Sequence, residues 1–227
     1  MRNLTNTIQE ISNRIYAVIR YNPTIEEKTY KELYRIYPDM RNIRIFGLRK
    51  TEEESDIFNE ILWTRIVPNY ALELKKLIEK DVHELVKVWV ALKEDIVERL
   101  IKNGLTLIDI LTIYDTIISN LDDFLERMKD KSFKKKFDRL GSMLGYFSRL
   151  SIYALPISLA IISPIIIKDR REELWSDGLL ALKVIAIAKV HHLYRIKEST
   201  LRLLSLIYHI QRVERWIIKL KNWDEEG

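Results

Sequence analysis

The sequence predicts an all-α protein, a multi-helix bundle of eight or nine helices with a buried apolar central helix. Three observations lead to this prediction. Apolar residues recur every three or four positions along most of the chain, which is the period of an amphipathic helix. The 227 residues include only six glycines and five prolines, so the elements between turns must be long. An uncharged run of 18 residues, 150–167, can supply the central helix.

Stop and start signals divide the N-terminal half into helices. Thr24 is predicted to cap the second helix, because Glu27 three residues later completes a capping box. Thr51 is predicted to cap the next helix, which should end at Pro68 since proline has no N–H to donate. The longest predicted helix then covers roughly 69–102.

In the C-terminal half, glycine and capping side chains mark the helix ends. Gly104 is predicted to terminate the long helix, because glycine readily adopts the left-handed conformation of a C-cap. A short polar side chain that can accept from free backbone N–H groups stands before each later helix. These predicted N-caps are Thr106, Ser132, Ser163, Asp177 and Ser199.

The segment 38–50 interrupts the helical pattern and is predicted to be a connector. It contains the brief alternation NIRIFGL, but a single strand needs a partner that the rest of the sequence does not offer. We therefore expect the domain boundary here, with a small N-terminal helical appendage over 1–50 and the main helical-bundle domain over 51–227.

Length alone allows the apolar run 150–167 to cross a membrane. At ~1.5 Å per residue a helix of this length reaches about 27 Å, near the short limit of a bilayer core. Pro164 favours a helix start inside the run, however, and Pro156 would kink a span. Gly141 and Gly145, just before the run, would allow another helix to approach closely. We therefore expect no membrane span, and an apolar run that is buried inside the bundle.

The composition excludes several kinds of chemistry and indicates a habitat. Without cysteine, the chain has no disulfides, thiolate metal sites or cysteine nucleophiles. Neither His83 nor His191 has a carboxylate or histidine partner at metal-ligand spacing and there is no glycine-rich phosphate loop, so we expect neither a metal site nor a cofactor. Thirty-three isoleucines, only two glutamines and abundant charges indicate a thermophilic archaeon or its virus. The amphipathic N-terminus lacks an apolar signal segment, which predicts a cytoplasmic protein.

The strongest charge feature is the segment 127–139, with seven basic and two acidic residues. Its net charge of +5 equals that of the whole chain. Since its apolar residues recur at helical spacing, the basic side chains should point outward, where they can release counterions from a phosphate backbone. The predicted nucleic-acid-binding residues are Lys131, Lys134, Lys135, Lys136 and Arg139. The alternative is a solvated surface without a partner.

The C-terminal helix carries a second basic face beside an apolar seam. Apolar residues at 203, 206, 210, 213, 217 and 220 form this C-terminal seam, whose alternating steps of three and four are those of a heptad repeat that packs on another helix. That helix could belong to the same chain, to a protein partner or to a second copy in a homo-oligomer. The face predicted to contact a partner or nucleic acid comprises Arg202, Arg212, Arg215, Trp216 and Lys219.

One short pattern on the same helix suggests catalysis. Arg202 and His209 match Arg-x(4–6)-His, which resembles the motif of HEPN-type helical ribonucleases. The resemblance covers eight residues and implies metal-independent RNA cleavage, in which the two side chains act at the RNA phosphate. The non-catalytic alternative is an exposed pair beside the C-terminal seam.

These features together predict a non-catalytic, nucleic-acid-associated subunit or accessory factor. Its basic helix would contact phosphate, and its C-terminal helix would contact a protein partner. The alternative function is a ribonuclease that uses Arg202 and His209. A second alternative is a purely structural protein that associates with itself.

Overall fold

The computed structural model describes residues 1–45 and 52–225. Over this part of the chain the backbone forms ten helices and no strand, so the all-α bundle is confirmed with one or two helices more than predicted. The helices are α1 (Arg2–Arg20), α2 (Pro23–Ile36), α3 (Pro38–Ile45), α4 (Glu52–Ile61, Leu62–Ile66 and Val67–Lys102), α5 (Leu107–Ser119), α6 (Leu121–Arg127), α7 (Lys131–Leu144), α8 (Ala154–Ile157, Ser158–Ile162 and Ser163–Ile166), α9 (Arg171–Arg195) and α10 (Thr200–Glu225). The middle segments of α4 and α8 are π-helical turns.

Both π turns allow a helix to continue through a proline. Pro68 follows the π turn Leu62–Ile66 by two residues, and Pro164 follows the π turn Ser158–Ile162 at the same distance. A proline inside a regular α-helix loses one hydrogen bond, and its ring collides with the carbonyl four residues earlier. The wider π turn, with hydrogen bonds to the fifth residue back, relieves that collision. The predicted helix end at Pro68 and helix start at Ser163 are therefore wrong.

The apolar run forms the buried centre of the bundle, as predicted. Every residue of α8 is buried except the half-buried Ile165, and the helix packs on α1, α4 and α9. At the crossing with α9, a Cβ on Gly178 would lie 2.4 Å from Ala160 Cβ and 2.8 Å from the Pro156 carbonyl oxygen. Glycine at residue 178 is therefore what lets α9 approach the central helix.

Helix α9 begins earlier than predicted, which leaves Asp177 inside the helix and not at its N-terminus. The helix starts at Arg171, so a full first turn precedes Asp177 and the predicted cap is wrong. The Asp177 carboxylate is buried and faces Lys93, whose Nζ donates a hydrogen bond to it at 2.8 Å.

Two further predicted caps lie two residues away from the observed ones. Asn22, not Thr24, caps α2, and its Oδ1 accepts from the Thr24 N–H at 3.1 Å. Asp130, not Ser132, caps α7, and its Oδ1 accepts from the Ser132 N–H at 2.7 Å. In both cases the side-chain oxygen two residues before the predicted cap accepts a hydrogen bond from the backbone N–H of the predicted residue.

The caps at Thr106, Ser199 and Gly104 are confirmed. Thr106 Oγ1 accepts from the Asp109 N–H at 3.3 Å, while the Asp109 carboxylate accepts from the Thr106 N–H at 2.8 Å. Ser199 Oγ accepts a backbone N–H at 3.3 Å in the first turn of α10. Gly104 has a φ of 64°, the left-handed conformation expected of it. The predicted cap at Thr51 lies outside the described residues.

The N-terminal helices share the core of the rest of the chain. Helix α1 packs along α4, and its fully buried residues are Ile8, Ile11, Ile15 and Ile19. The segment 38–50, predicted to be a connector, begins with the helix Pro38–Ile45, so that part of the prediction is wrong. Residues 46–51 contain the predicted boundary between 1–50 and 51–227 and lie outside the described residues. The division into two domains stays a prediction.

The described helices offer no simple membrane span. None of the helices in residues 1–45 and 52–225 is by itself both long and apolar enough to cross a bilayer. The segments Lys131–Arg149 and Ala154–Ile166 have the length and composition only when taken together, and the chain bends by 83° between them. This finding is consistent with the expectation of no membrane span.

Candidate nucleic-acid interface

Helix α7 has its apolar and basic residues on opposite sides. Phe137, Leu140 and Leu144 are fully buried. The ring of Phe124 on α6 meets Phe137 edge to face, with 5.3 Å between the ring centroids. This packing fixes the rotation of α7, so the side chains on its other side must face solvent.

Four of the five predicted phosphate contacts are exposed on that other side. They are Lys131, Lys134, Lys135 and Arg139. Among the described residues, no carboxylate lies within 4.0 Å of any of the four. Between residues 131 and 145 the helix contains one acidic residue, Asp138. The positive charge of this surface is therefore largely uncompensated.

Lys136 differs from its neighbours because it lies on the opposite flank of α7. Its Nζ donates to Asp109 Oδ1 at 2.8 Å, and the Asp109 side chain is largely buried. Burial disfavours ionisation of Asp109, but the hydrogen bonds from Lys136 and Thr106 lower the pKa of this carboxyl overall. Lys136 therefore ties α7 to the start of α5 and adds little free charge to the exposed row.

The end of α9 runs antiparallel to α7 and adds a cation that the sequence analysis missed. Phe137 contacts the Tyr194 ring at a centroid distance of 6.1 Å, and Lys189 Nζ donates to the Ser148 carbonyl at 2.9 Å. Arg195, in the last turn of α9, is exposed, and the helix dipole favours a cation there. We call the surface formed by Lys131, Lys134, Lys135, Arg139 and Arg195 the basic groove.

A recess of about 350 Å³ opens between α7 and α9. We call it the Gly145 recess, and its lining includes Gly141, Ser142, Gly145, His191, His192 and Arg195. Ser142 stands seven residues after Lys135, so both lie on the same face of α7. The recess therefore continues the basic groove.

His191 is held rigidly in the wall of this recess. A Cβ on Gly141 would lie 2.1 Å from His191 Cγ, so the ring lies directly against the glycine backbone. The close approach predicted at Gly141 is confirmed, but at Gly145 it is wrong, because a Cβ there would meet nothing within 4 Å. Burial lowers the pKa of His191, although Asp138, whose Oδ1 lies 3.5 Å from Nε2, opposes that shift.

The C-terminal seam packs within the chain. Ile210, Val213 and Ile217 are fully buried, and α10 contacts α5, α6, α8 and α9. Beside the seam, Arg212 forms an ion pair with Glu60, which is itself buried. The C-terminal seam therefore packs on other helices of the same chain. The charge of Arg212 is compensated by Glu60.

The other three residues of the predicted C-terminal face that lie near its end differ in exposure and in their contacts. Arg215 is exposed, and its Nε donates to the Gln211 carbonyl at 3.2 Å. Lys219 is exposed, with its Nζ 5.5 Å from the centre of the Trp216 ring. Trp216 is half-buried. This face therefore has fewer available cations than the basic groove.

Arg202 and His209 contact different partners within the chain. His209 Nδ1 lies 3.2 Å from the Tyr153 hydroxyl, while Arg202 Nη1 pairs with Glu198 Oε1 at 2.9 Å. Their seven-residue separation corresponds to about 10.5 Å along the helix axis. This is the spacing of the pattern itself, and the ribonuclease alternative stays a prediction.

Neither metal-binding clusters nor relatives offer a further guide to function. Within the described part of the chain, no group of three or more His, Asp and Glu side chains is arranged to hold a metal ion. Comparison of the chain with protein-family models, curated proteins and solved structures finds no match to any of them. The function must therefore be inferred from the geometry and charge of the chain itself.

Proposed function

We propose that this protein binds the phosphate backbone of nucleic acid through the basic groove, as a non-catalytic subunit or accessory factor. The observation that carries this proposal is the row of exposed cations on α7, which Asp138 alone opposes on that helix. Each ammonium or guanidinium group that neutralises a phosphate releases condensed counterions, and this favours binding whatever the base sequence.

The surface of α4 shows how a solvated charged face differs from the basic groove. Lys76, Lys80 and Lys87 are exposed there, but exposed glutamates at 73, 79 and 84 alternate with them. Such a face has little net charge and attracts a polyanion weakly. In the basic groove several cations lie together without alternating glutamates, which is the arrangement that a phosphate backbone requires.

We further propose that α10 contacts a protein partner through apolar residues outside the C-terminal seam. Leu201, Leu204 and Tyr208 lie on one face of the helix and are 77%, 50% and 50% exposed. A row of exposed apolar side chains is typical of an interaction surface. The composition favours a thermophilic archaeon or its virus, and we propose that the partner belongs to a cytoplasmic assembly that handles nucleic acid.

Fluorescence anisotropy with labelled single- and double-stranded DNA and RNA tests this proposal. At low salt we expect the wild-type protein to bind, and the triple variant Lys131/Lys134/Lys135→Ala to bind about tenfold more weakly or worse, because three phosphate contacts are lost. The matched control is Lys76/Lys80/Lys87→Ala, which removes the same charge from α4. Its affinity should stay within about twofold of wild type, since distant exposed charges are screened.

Two outcomes would contradict the proposal. One is the absence of binding by the wild-type protein at low salt. The other is equal weakening by the two triple variants, which would show that net charge matters and the basic groove does not. Metal-independent RNA cleavage in EDTA, abolished separately by Arg202→Ala and His209→Ala, would instead support the ribonuclease alternative.

A further inference from the structure

Helix packing does not explain why residue 145, in the wall of the Gly145 recess, is a glycine. Gly145 has a φ of −54° and a ψ of −25°, a conformation that any residue adopts. A Cβ at this position would meet nothing within 4 Å, so no neighbouring helix requires glycine here either. Glycine is also less favourable than alanine in a helical conformation. The effect of glycine at residue 145 is to keep the recess empty of side chains.

The recess is lined by polar side chains, and the Nε2 atom of His191, which donates a hydrogen bond in one of the two neutral tautomers, has no partner in the described part of the chain. His191 is 4% exposed, and its Nε2 makes no hydrogen bond within the described residues. Asp138 lies nearest, at 3.5 Å from Nε2, but its side chain is 45% exposed and can turn towards solvent. Arg195 and Ser142 line the same recess and add a guanidinium group and a hydroxyl group. A ligand rich in acceptor oxygens fits these donors.

We propose that the Gly145 recess binds a phosphate monoester, in particular the terminal phosphate of a nucleic-acid strand whose backbone follows the basic groove. The part of this inference that rests on the proposed function is that the phosphate belongs to the end of a nucleic-acid strand. A phosphate monoester has three acceptor oxygens, and a guanidinium group such as that of Arg195 can donate two parallel hydrogen bonds to them. Binding turns the Asp138 carboxylate away from His191 Nε2 and gives that nitrogen an acceptor. A volume of about 350 Å³ admits a phosphate with part of its nucleoside.

Three oligonucleotides of one short sequence test the inference, one with a 5′-phosphate, one with a 3′-phosphate and one with hydroxyl groups at both ends. We expect one phosphorylated form to bind wild-type protein about tenfold more tightly than the hydroxyl form, since charged hydrogen bonds are strong. Gly145→Leu should abolish this preference, because its Cβ fits and the rest of its side chain fills the recess. Its affinity for the hydroxyl form should match that of the wild type. If Gly145→Leu does not fold by circular dichroism, Ser142→Leu provides the same comparison, because Ser142 also lines the recess and is not one of the cations of the basic groove.

Inorganic phosphate separates this inference from the proposed function. Against chloride at equal ionic strength, phosphate should raise the melting temperature of the wild type and not that of Gly145→Leu. If this holds while no oligonucleotide binds, the recess takes free phosphate and the proposed function is wrong. If all three oligonucleotides bind equally and phosphate has no specific effect, the inference is overturned while the proposed function stands. A preference that follows the terminal base and not its phosphate would also overturn it.

Discussion

The imidazole ring of His191 lies so close to the backbone of Gly141 that a Cβ at residue 141 would be 2.1 Å from His191 Cγ. The same ring contacts Phe137 edge to face, at a centroid distance of 5.3 Å. These two contacts hold α7 against the end of α9. They therefore set the spacing between the two helices that form the basic groove and the Gly145 recess.

Gly141→Ala is expected to lower the free energy of unfolding by about 1–3 kcal/mol, the usual cost of overpacking a tight contact. Gly145→Ala is the matched control, since a Cβ there meets nothing within 4 Å. Its stability should be unchanged or higher by up to ~1 kcal/mol, because alanine favours helical conformations. Urea denaturation measures both changes. Equal losses in the two variants would contradict the contact between His191 and Gly141.

Burial of His191 makes the stability of the protein depend on pH. Because its pKa is lowered in the folded protein, the unfolded state binds the proton more readily, and the free energy of unfolding falls as pH drops below the ordinary value of 6.5. Well above that pH the ring is neutral in both states, and the effect disappears. His191→Gln should therefore reduce this slope just below the ordinary pKa by up to about 1.4 kcal/mol per pH unit.

Urea denaturation between about pH 5 and pH 8 checks this pH dependence, since histidine titrates in that range. The exposed His83 offers the control variant His83→Gln, which separates the effect of losing any histidine from the effect of losing His191. An unchanged slope in His191→Gln would contradict the assignment of the pH dependence to this ring.

Asp177 is almost fully buried and depends on Lys93 for its charge balance. Its Oδ1 accepts from Lys93 Nζ at 2.8 Å, and its Oδ2 makes no hydrogen bond within the described residues. Lys93→Met leaves a buried carboxylate uncompensated and should lower the free energy of unfolding by about 3–5 kcal/mol. Lys102→Met breaks the exposed ion pair with Glu98 and should cost less than about 1 kcal/mol. Similar costs for the two variants, measured by urea denaturation, would contradict this role of Lys93.

The adjacent lysines Lys135 and Lys136 are expected to differ in function. Lys135→Ala should weaken nucleic-acid binding to a similar extent for all sequences, because phosphate contacts do not distinguish bases. Lys136→Ala should change the affinity less, since Lys136 hydrogen-bonds to Asp109 at 2.8 Å. It should instead lower the free energy of unfolding by up to ~1 kcal/mol. Anisotropy and urea denaturation measure the two effects, and the reverse order would put the binding face on the other flank of α7.

Periodicity was sufficient to predict most of the helices, because burial of one helix face leaves a regular repeat in the sequence. Helix α1 buries a regular series of isoleucines that ends at Ile19, and the C-terminal seam is buried from Leu203 to Ile217 except for the half-buried Leu206. The central helix was also predictable, since an element surrounded by others must be apolar on every side. The same reasoning predicted that the five lysines and arginines of α7 are exposed. It did not predict that Lys136 donates a hydrogen bond to Asp109.

Contacts between segments that are distant in sequence could not be predicted in this way. Helix α4 continues past Pro68 because a π turn precedes the proline, and this turn also contains the fully buried Trp63, whose neighbours the sequence does not reveal. Arg212 is paired with Glu60 from a helix far away along the chain, and Arg195 joins the basic groove from α9. A run of charges in the sequence shows which residue types are present but not the acceptor that each cation meets.

The salt dependence of duplex DNA binding tests the central claim most directly, namely that the cations of the basic groove contact phosphate. Each phosphate contact contributes about 0.9 to the slope of log K against log salt concentration, so Lys131/Lys134/Lys135→Ala should have a slope shallower by up to about 2.7. The control Lys76/Lys80/Lys87→Ala should keep the wild-type slope. A slope for Lys131/Lys134/Lys135→Ala identical to that of the wild type would contradict the claim.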